Sequence, residues 1–445
     1  MRVIFPEFLK DRLGFHQKNT ERRKEMCKGW ILGLAGGILM AFLLAGCQKK
    51  QPEQVMLTVI HAWGGTEEDH VAMREIYESF QEKNPDIQLR LISIPTRDKM
   101  LRKVEDMIMV GNIPDVISFS GLGRNETYDF MVENDMALNL MPYVQQDGAF
   151  ESSIAEANLE YWATDRGELF NIADVLSLSG GYWYNEDIFR EAGIERIPQT
   201  WQEFIEMCET LQRWSVKEEA GIKPLRVSSE GYLYFLDHML ADNGGDAEGA
   251  IQSHWMFHED WELEAALDRL KEIYAYSSAE DEHYSYRDET GLFNERKLAI
   301  YVNGVWGAPM ISDDIHAAYA LLPTESGKEM SCESACMGYV LGNSKNVEKE
   351  RAAVRFLKYM LSEDVQTRIL EETEQIPANP KLSLESYKDQ KPRLYQAAEL
   401  VLNAQRKIEV PDNLWTSAQK AVFSDRILEV LSGELGYKDF IEYLK

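Results

Sequence analysis

Residues 55–63 are β-branched and apolar and stop at Gly64-Gly65, which predicts a buried first strand. Beyond it the period changes. Val71, Met73, Ile76, Tyr77 and Phe80 recur at helical spacing, so a helix follows, with Thr66 expected as its cap and Asp69 three residues on. Asn84-Pro85-Asp86 breaks it. Residues 87–94 alternate as a second strand, 98–110 form a helix closed by Gly111-Asn112, and 114–121 make a third strand running into a loop. Strand, helix, strand, helix, strand predicts a parallel sheet with helices on both faces. Ligands of such sheets bind at the carboxyl ends of the strands. Trp63, Gly64, Gly65 and Thr66 are therefore expected at one rim with Phe119, Ser120 and Gly121.

The middle of the chain reads less regularly. A strand is expected over 176–184, with Gly180-Gly181 inside it, and a short helix over 185–193. Pro198-Gln199-Thr200-Trp201 opens a longer helix with Thr200 as cap and Glu203 three residues later. Further strands are expected at 221–227, 298–302 and 338–342, and further helices at 263–276, 348–360 and through 414–444. Asp242-Asn243-Gly244-Gly245-Asp246 has turn composition and lacks the alternating ligands and distal glutamate of a calcium loop.

One hydrophobic run has no period at all. Trp30 to Ala45 carries no charge, follows Arg22, Arg23, Lys24 and Lys28, and ends at Leu44-Ala45-Gly46-Cys47. It is shorter than the ~20 residues of a spanning helix and has the layout of a secretory signal. The junction resembles the lipobox of bacterial lipoproteins, which implies acylation of Cys47 after removal of residues 1–46, with 47–54 as a polar tether. Met26 is a second candidate start.

The chain holds 47 Lys+Arg against 75 Asp+Glu, a net charge of −28. Residues 1–46 contribute eight of the former and four of the latter, leaving 39 against 71 in the remainder. That excess argues against nucleic acid and against a polybasic grip on anionic lipid. About 400 residues exceed one ordinary core, so two lobes are expected. Of the five cysteines, Cys208 falls in a helical pattern and is expected as a buried thiol. Cys332 and Cys336 are four apart without companion ligands, which leaves free thiols or a small-loop disulfide but not zinc.

The chemistry sits in aromatics beside glycines: Trp63, the run Tyr182-Trp183-Tyr184, Trp306 and Tyr339. A sugar ring fits such a surface, its C–H face stacking on an aromatic plane and its hydroxyls pairing with nearby polar groups. The chain resembles the extracellular solute-binding proteins of carbohydrate ABC importers, the group that includes the maltose binder. The resemblance runs from Val55 to the C-terminus. It is carried by Trp63-Gly64-Gly65, Pro114-Asp115-Val116-Ile117, Tyr184-Asn185-Glu186-Asp187-Ile188-Phe189 and Pro198-Gln199-Thr200-Trp201. Further marks are the segment from Leu298 to Trp306, Ala352-Ala353-Val354-Arg355-Phe356-Leu357 and Ile376-Pro377-Ala378.

The resemblance implies an α/β, two-lobe periplasmic-binding-protein-like fold with an interlobe hinge and a ligand cleft. One lobe would hold 55–172 and 341–386, the other 173–340 and 387–445. It implies ligand contacts at Trp63, Gly64, Gly65, Thr66, Phe119, Ser120, Glu230, Tyr232, Trp306 and Trp415, to which the aromatic-beside-glycine pattern adds Tyr339. It implies a carbohydrate ligand, an ABC permease as partner, a monomer anchored by lipid on the extracytoplasmic face of the cell membrane, and no cofactor. The maltose binder's acidic residue after its third strand and its lysine after the first are not matched here, so maltose is not implied.

Rival readings are weaker. A glycosidase needs two carboxylates at a set separation, and no pair is singled out. Tyr182 and Tyr184 would share one strand face and could ligate iron, but no carboxylate or histidine cluster accompanies them. A peptide, polyamine or sugar acid remains open as ligand. His61 is expected as a core or interlobe histidine, and His254 and His258 lack a third zinc ligand. Ser417 to Lys420 matches Ser-x-x-Lys without the companion motifs of a serine acylase.

Overall fold

The computed structural model describes residues 54–119, 123–242, 259–277, 286–408 and 415–445, without the side chains of Glu230, Tyr286, Arg287 and Ser417. The chain divides into Met1–Gln54 and Val55–Lys445, and the second unit carries the fold. Cys47, Ser120, His254 and His258 lie outside the described residues, as does most of the 242–246 turn cluster.

The first half follows the sequence pattern closely. Strand β1 (Val55–His61) has five consecutive buried residues at its end, as a strand covered on both faces must. Helix α1 (Glu68–Lys83) buries Ala72, Met73, Ile76, Tyr77 and Phe80, while Val71 turns outward. Its N-cap is Glu67, not Thr66, and makes no side-chain cap bond. β2 (Ile87–Ser93), α2 (Arg97–Met109) and β3 (Val116–Ser118) complete the unit. β1 pairs parallel with both β2 and β3, which puts the loops after β1 and β3 at the same carboxyl rim.

Short helices α3 (Glu126–Glu133), α4 (Met141–Gln145), α5 (Gly148–Glu151) and α6 (Glu156–Trp162) lead to β4 (Asn171–Ser179). The expected strand over 176–184 is two strands, because Gly180 breaks the run at φ +93° and β5 (Gly181–Asn185) joins a different sheet. After α7 (Glu186–Glu191), α8 (Trp201–Lys217) starts as expected, Thr200 accepting from the Glu203 N–H. Residues 221–227 are not a strand; they make one bridge, Lys223 to Leu298. Then come α9 (Ser229–Asp242), α10 (Asp260–Ser277), α11 (Tyr286–Asn294), β6 (Ile300–Tyr301), a 3-10 turn (Val305–Met310) and β7 (Ala317–Leu321).

β8 (Met330–Leu341) is far longer than the expected 338–342. Its far end lies antiparallel to β3 and its length runs against β4. α12 (Val347–Met360), α13 (Glu363–Thr373), β9 (Ile376–Pro377), α14 (Pro392–Leu402), β10 (Arg406–Ile408), α15 (Ser417–Ser432) and α16 (Tyr437–Leu444) complete the chain. The larger sheet has the order β2-β1-β3-β8-β4-β9 with β10 on β8, and the smaller has β6-β5-β7. One apolar core packs under the first sheet, from Leu57 to Ile369. A second gathers Tyr182, Phe204, Leu236, Leu267, Phe423 and Phe440. A third joins Trp183, Tyr301 and Tyr319 to α14.

Candidate ligand-binding site

The loop after β1 is held by named bonds. The His61 Nδ1 accepts the Trp63 N–H (3.1 Å), and the Gly64 N–H donates to the Ile94 carbonyl (2.9 Å). The His70 Nδ1 accepts the Gly65 N–H (2.9 Å), and Arg74 donates to the carbonyls of Trp63 and Gly65. Gly64 must be glycine because a Cβ would overlap the Ile94 backbone. His61 is fully buried, as expected of a core histidine, and burial, with Arg74 and His70 nearby, holds its pKa down to about 3. The ring is therefore neutral, its Nδ1 free to accept and its Nε2 directed at Ser93 Oγ (3.1 Å). Trp63 is largely buried, and its Nε1 has no hydrogen-bond partner among the described residues. Thr66 is exposed.

Under this rim lies a polar chain inside the core. Tyr77 Oη meets Tyr339 Oη (2.9 Å), and Tyr339 donates to Asp174 Oδ2 (2.7 Å). All three residues are buried, and burial pushes the Asp174 carboxyl up to about 7 despite the Tyr339 bond. Tyr339 thus presents no side-chain surface here; it braces β8 against α1 and β4. Phe119 is likewise fully buried, its N–H on the Gly338 carbonyl (2.8 Å).

The 3-10 turn after β6 carries Trp306, 36% exposed. Its ring lies over Gly304, where any Cβ would strike it. The Gly304 carbonyl accepts from Trp183 Nε1 (3.0 Å), so a buried tryptophan fixes the seat of an exposed one. Tyr232 is fully buried beside Tyr274, and Trp415 is buried against Phe423. Of the expected contacts with described side chains, Trp306 and Thr66 offer surface, Trp63 sits at the rim, and Phe119, Tyr232, Tyr339 and Trp415 are packed inside. Composition gave no sign of His61, His70 and Arg74 as loop supports; only the proximity of Arg74 and His70 to the glycine pair hinted at it.

The crossover between sheets passes close by. The N–H groups of Gly180 and Gly181 both donate to Tyr234 Oη (2.8 and 2.9 Å). That hydroxyl also lies within reach of the Gly181 carbonyl (2.9 Å), Tyr319 Oη (3.3 Å) and the Asn303 carbonyl (3.4 Å). Tyr182 and Tyr184 do share a face, but Tyr182 is fully buried and burial drives its phenol well above the usual range, against a metal-binding phenolate. Among the described residues no group of three or more His, Cys, Asp or Glu could hold a metal ion. Cys208, Cys332 and Cys336 are buried thiols outside any disulfide. Four positions along one strand separate the last two by about 13 Å, beyond the reach of a disulfide.

A groove of about 1860 Å³ lies elsewhere, between α3 and α6 on one side and β9, α14 and β10 on the other. Arg124, Tyr161, Leu176, Glu333, Tyr395 and Arg406 are among its walls, and none of the expected ligand contacts is.

A larger sheet whose first three strands share one carboxyl rim, followed through Gly180-Gly181 by a smaller sheet, makes the two-lobe α/β fold of the solute-binding proteins. Residues 64–367 match the model of the family described as bacterial extracellular solute-binding protein, and the chain belongs to that family. It is 22% identical over 354 residues to the multiple sugar-binding protein of Streptococcus mutans, covering 74% of this chain and 77% of that one. Its fold is similar to that of a Streptococcus pneumoniae solute-binding protein in complex with the blood group A-trisaccharide, with a TM-score of 0.72 at 20% identity over 87% of this chain and 98% of the other. A chitin oligosaccharide binding protein matches with a TM-score of 0.71 at 18% identity, covering 87% and 97%. Among the described residues no helix is long and apolar enough to cross a membrane.

Proposed function

We propose that this protein captures a sugar or short oligosaccharide outside the cytoplasm and hands it to an ABC import permease, without chemistry on the ligand. The observation that carries the reading is Trp306, a tryptophan with an open face whose seat is built from Gly304 and Trp183. An exposed indole held in one orientation suits the apolar face of a sugar ring. The similar proteins whose names mention sugars support the same class.

The lobes are assigned as 55–172 with 341–386, and 173–340 with 387–445, with ligand contacts at Trp63 to Thr66 and Trp306 and with Ser120 and Glu230 as polar partners. Phe119, Tyr232, Tyr339 and Trp415 are packed in the cores and are not proposed as direct contacts. The lipobox at 44–47 supports acylation of Cys47 and a place on the outer face of the cell membrane, the protein acting as a monomer.

The test is a thermal-shift screen of the mature chain against mono- and oligosaccharides, sugar acids and polyamines. A saturable rise in melting temperature with one class of neutral carbohydrate supports the reading. A response confined to polyamines or sugar acids overturns it.

A further inference from the structure

Two histidines hold the loop after β1, and they differ in what a proton can do to them. Each takes a backbone N–H on its Nδ1: His61 that of Trp63 (3.1 Å), His70 that of Gly65 (2.9 Å). A ring nitrogen accepts only while it carries no proton, so each bond needs a neutral imidazole. His61 is enclosed, its pKa held down to about 3, and it keeps its acceptor throughout the neutral and mildly acid range. His70 is not enclosed; its side chain is 19% exposed in the first turn of α1. Histidine is the side chain that ordinarily changes charge between pH 5 and 8.

A second partner stands beside the same atom. Glu67 Oε2 lies 3.8 Å from His70 Nδ1, and Glu67, at the N-cap of α1, makes no side-chain cap bond to that helix. Gly65 sits against both. A Cβ there would come within 1.9 Å of Glu67 Oε2 and 2.7 Å of His70 Nδ1. One nitrogen thus faces a backbone donor that it can accept only when bare, and a carboxylate that it can bond only when it carries a proton. The other charged or titratable groups around it are Glu68 and Asp69 in the same turn, Arg74 one turn further on, and His61 on β1. Arg74 is a permanent cation and stays on the carbonyls of Trp63 and Gly65. The segment after β2 meets the loop through the Ile94 backbone. The Trp63 ring stands edge-to-face with the His70 ring, centroids 5.2 Å apart. A turn of the imidazole toward Glu67 therefore releases the Gly65 amide and removes the neighbour of the Trp63 ring in one movement.

We propose that His70 is a positioning residue whose protonation gates ligand capture: neutral, it sets Gly65 and Trp63 in place; protonated, it turns to Glu67 and lets the rim go. The proposal rests on the reading of residues 63–66 as ligand contacts given above, and it adds a regulation to that site. Binding is full where His70 is neutral and weakens as the pH falls, by about fivefold for the loss of one hydrogen bond. His61, locked neutral, keeps the Trp63 amide held throughout, so the loop loosens at one end and does not unfold.

The test takes the mature chain from pH 8 to pH 5 with two readouts. Without ligand, the spectrum of the 15N-glycine-labelled chain follows the Gly65 amide, whose proton is expected to move upfield in a single titration as its bond to His70 is lost. With the carbohydrate selected by the thermal screen, calorimetry is expected to show about fivefold weaker binding at pH 5 than at pH 8. His70→Asn places an acceptor oxygen near the position of Nδ1, and that oxygen does not titrate; both profiles should become flat. Glu67→Gln removes the carboxylate that receives the protonated ring and should move both midpoints to lower pH. A Gly65 amide that does not titrate, or a His70→Asn chain that keeps the slope of the unsubstituted one, overturns the gate. Titration of Gly65 beside a pH-independent affinity overturns the positioning role. A chain that binds no carbohydrate at any pH overturns the receptor reading instead, and the Gly65 titration, with its loss in His70→Asn, then decides the gate alone.

Discussion

At the scale of single residues, the expected ligand contacts and their surroundings divide into side chains that touch solvent and side chains that brace the core. Trp306 is the clearest of the first kind. Trp306→Ala is expected to weaken carbohydrate binding at least tenfold by calorimetry, the loss of one aromatic anchor costing about 2 kcal/mol, with the melting temperature of the free protein nearly unchanged. Unchanged affinity would make Trp306 structural. Asp174 belongs to the second kind. Its carboxyl titrates near pH 7 in the folded chain and near 3.8 when unfolded, so between these values the folded state holds more protons. Stability tied to this group is therefore full at low pH and is lost as pH rises toward and through 7. Asp174→Asn keeps an acceptor for Tyr339 and should flatten that fall; parallel melting profiles from pH 5 to 8 would refute the assignment. The sequence displayed every aromatic but not its exposure. Tyr339 and Trp306 both follow or flank glycine, yet one braces the core and the other faces out, because β8 continues past Tyr339 between two neighbouring strands while the chain at Trp306 turns back over Gly304.

At the scale of elements, the crossover at Gly180-Gly181 is the decisive local event. The apolar run of 176–184 read as one strand because a period-two pattern does not reveal which sheet each half joins. Gly180 marks the break: a Cβ there would lie 2.9 Å from Ser331 Cα, and its φ of +93° suits only glycine. The break leaves two adjacent N–H donors that need an acceptor, and Tyr234 supplies it from α9. Tyr234→Phe removes that acceptor while keeping the ring. The expected outcome is a loss of roughly 1–3 kcal/mol in denaturant unfolding together with faster hydrogen exchange at Gly180 and Gly181. Exchange unchanged at those two amides would show that the hydroxyl does not pin the crossover. Helices with strong periodicity, such as α8 and α12, were legible almost to the residue. The 12-residue β8 was not, because Ser331, Glu333 and Ser334 interrupt its apolar character and their burial comes from strand neighbours far away in sequence.

At the scale of the molecule, order and spacing of modest signals carried more than any motif. The strand-helix alternation of residues 55–121 fixed the direction of the first sheet and so located the rim. The antiparallel insertion of β8 between β3 and β4 could not be read locally, since it brings residues 116–118 against 339–341. The large acidic excess is consistent with a solvated surface and did not locate a site. The proposed receptor holds one unreactive carbohydrate molecule per chain. Calorimetric titration of the mature chain with the carbohydrate class selected by the thermal screen, followed by mass spectrometry of the recovered sugar, tests this most directly. The expected result is one bound molecule per chain, recovered intact. No heat from any carbohydrate, or a sugar returned cleaved, would contradict it.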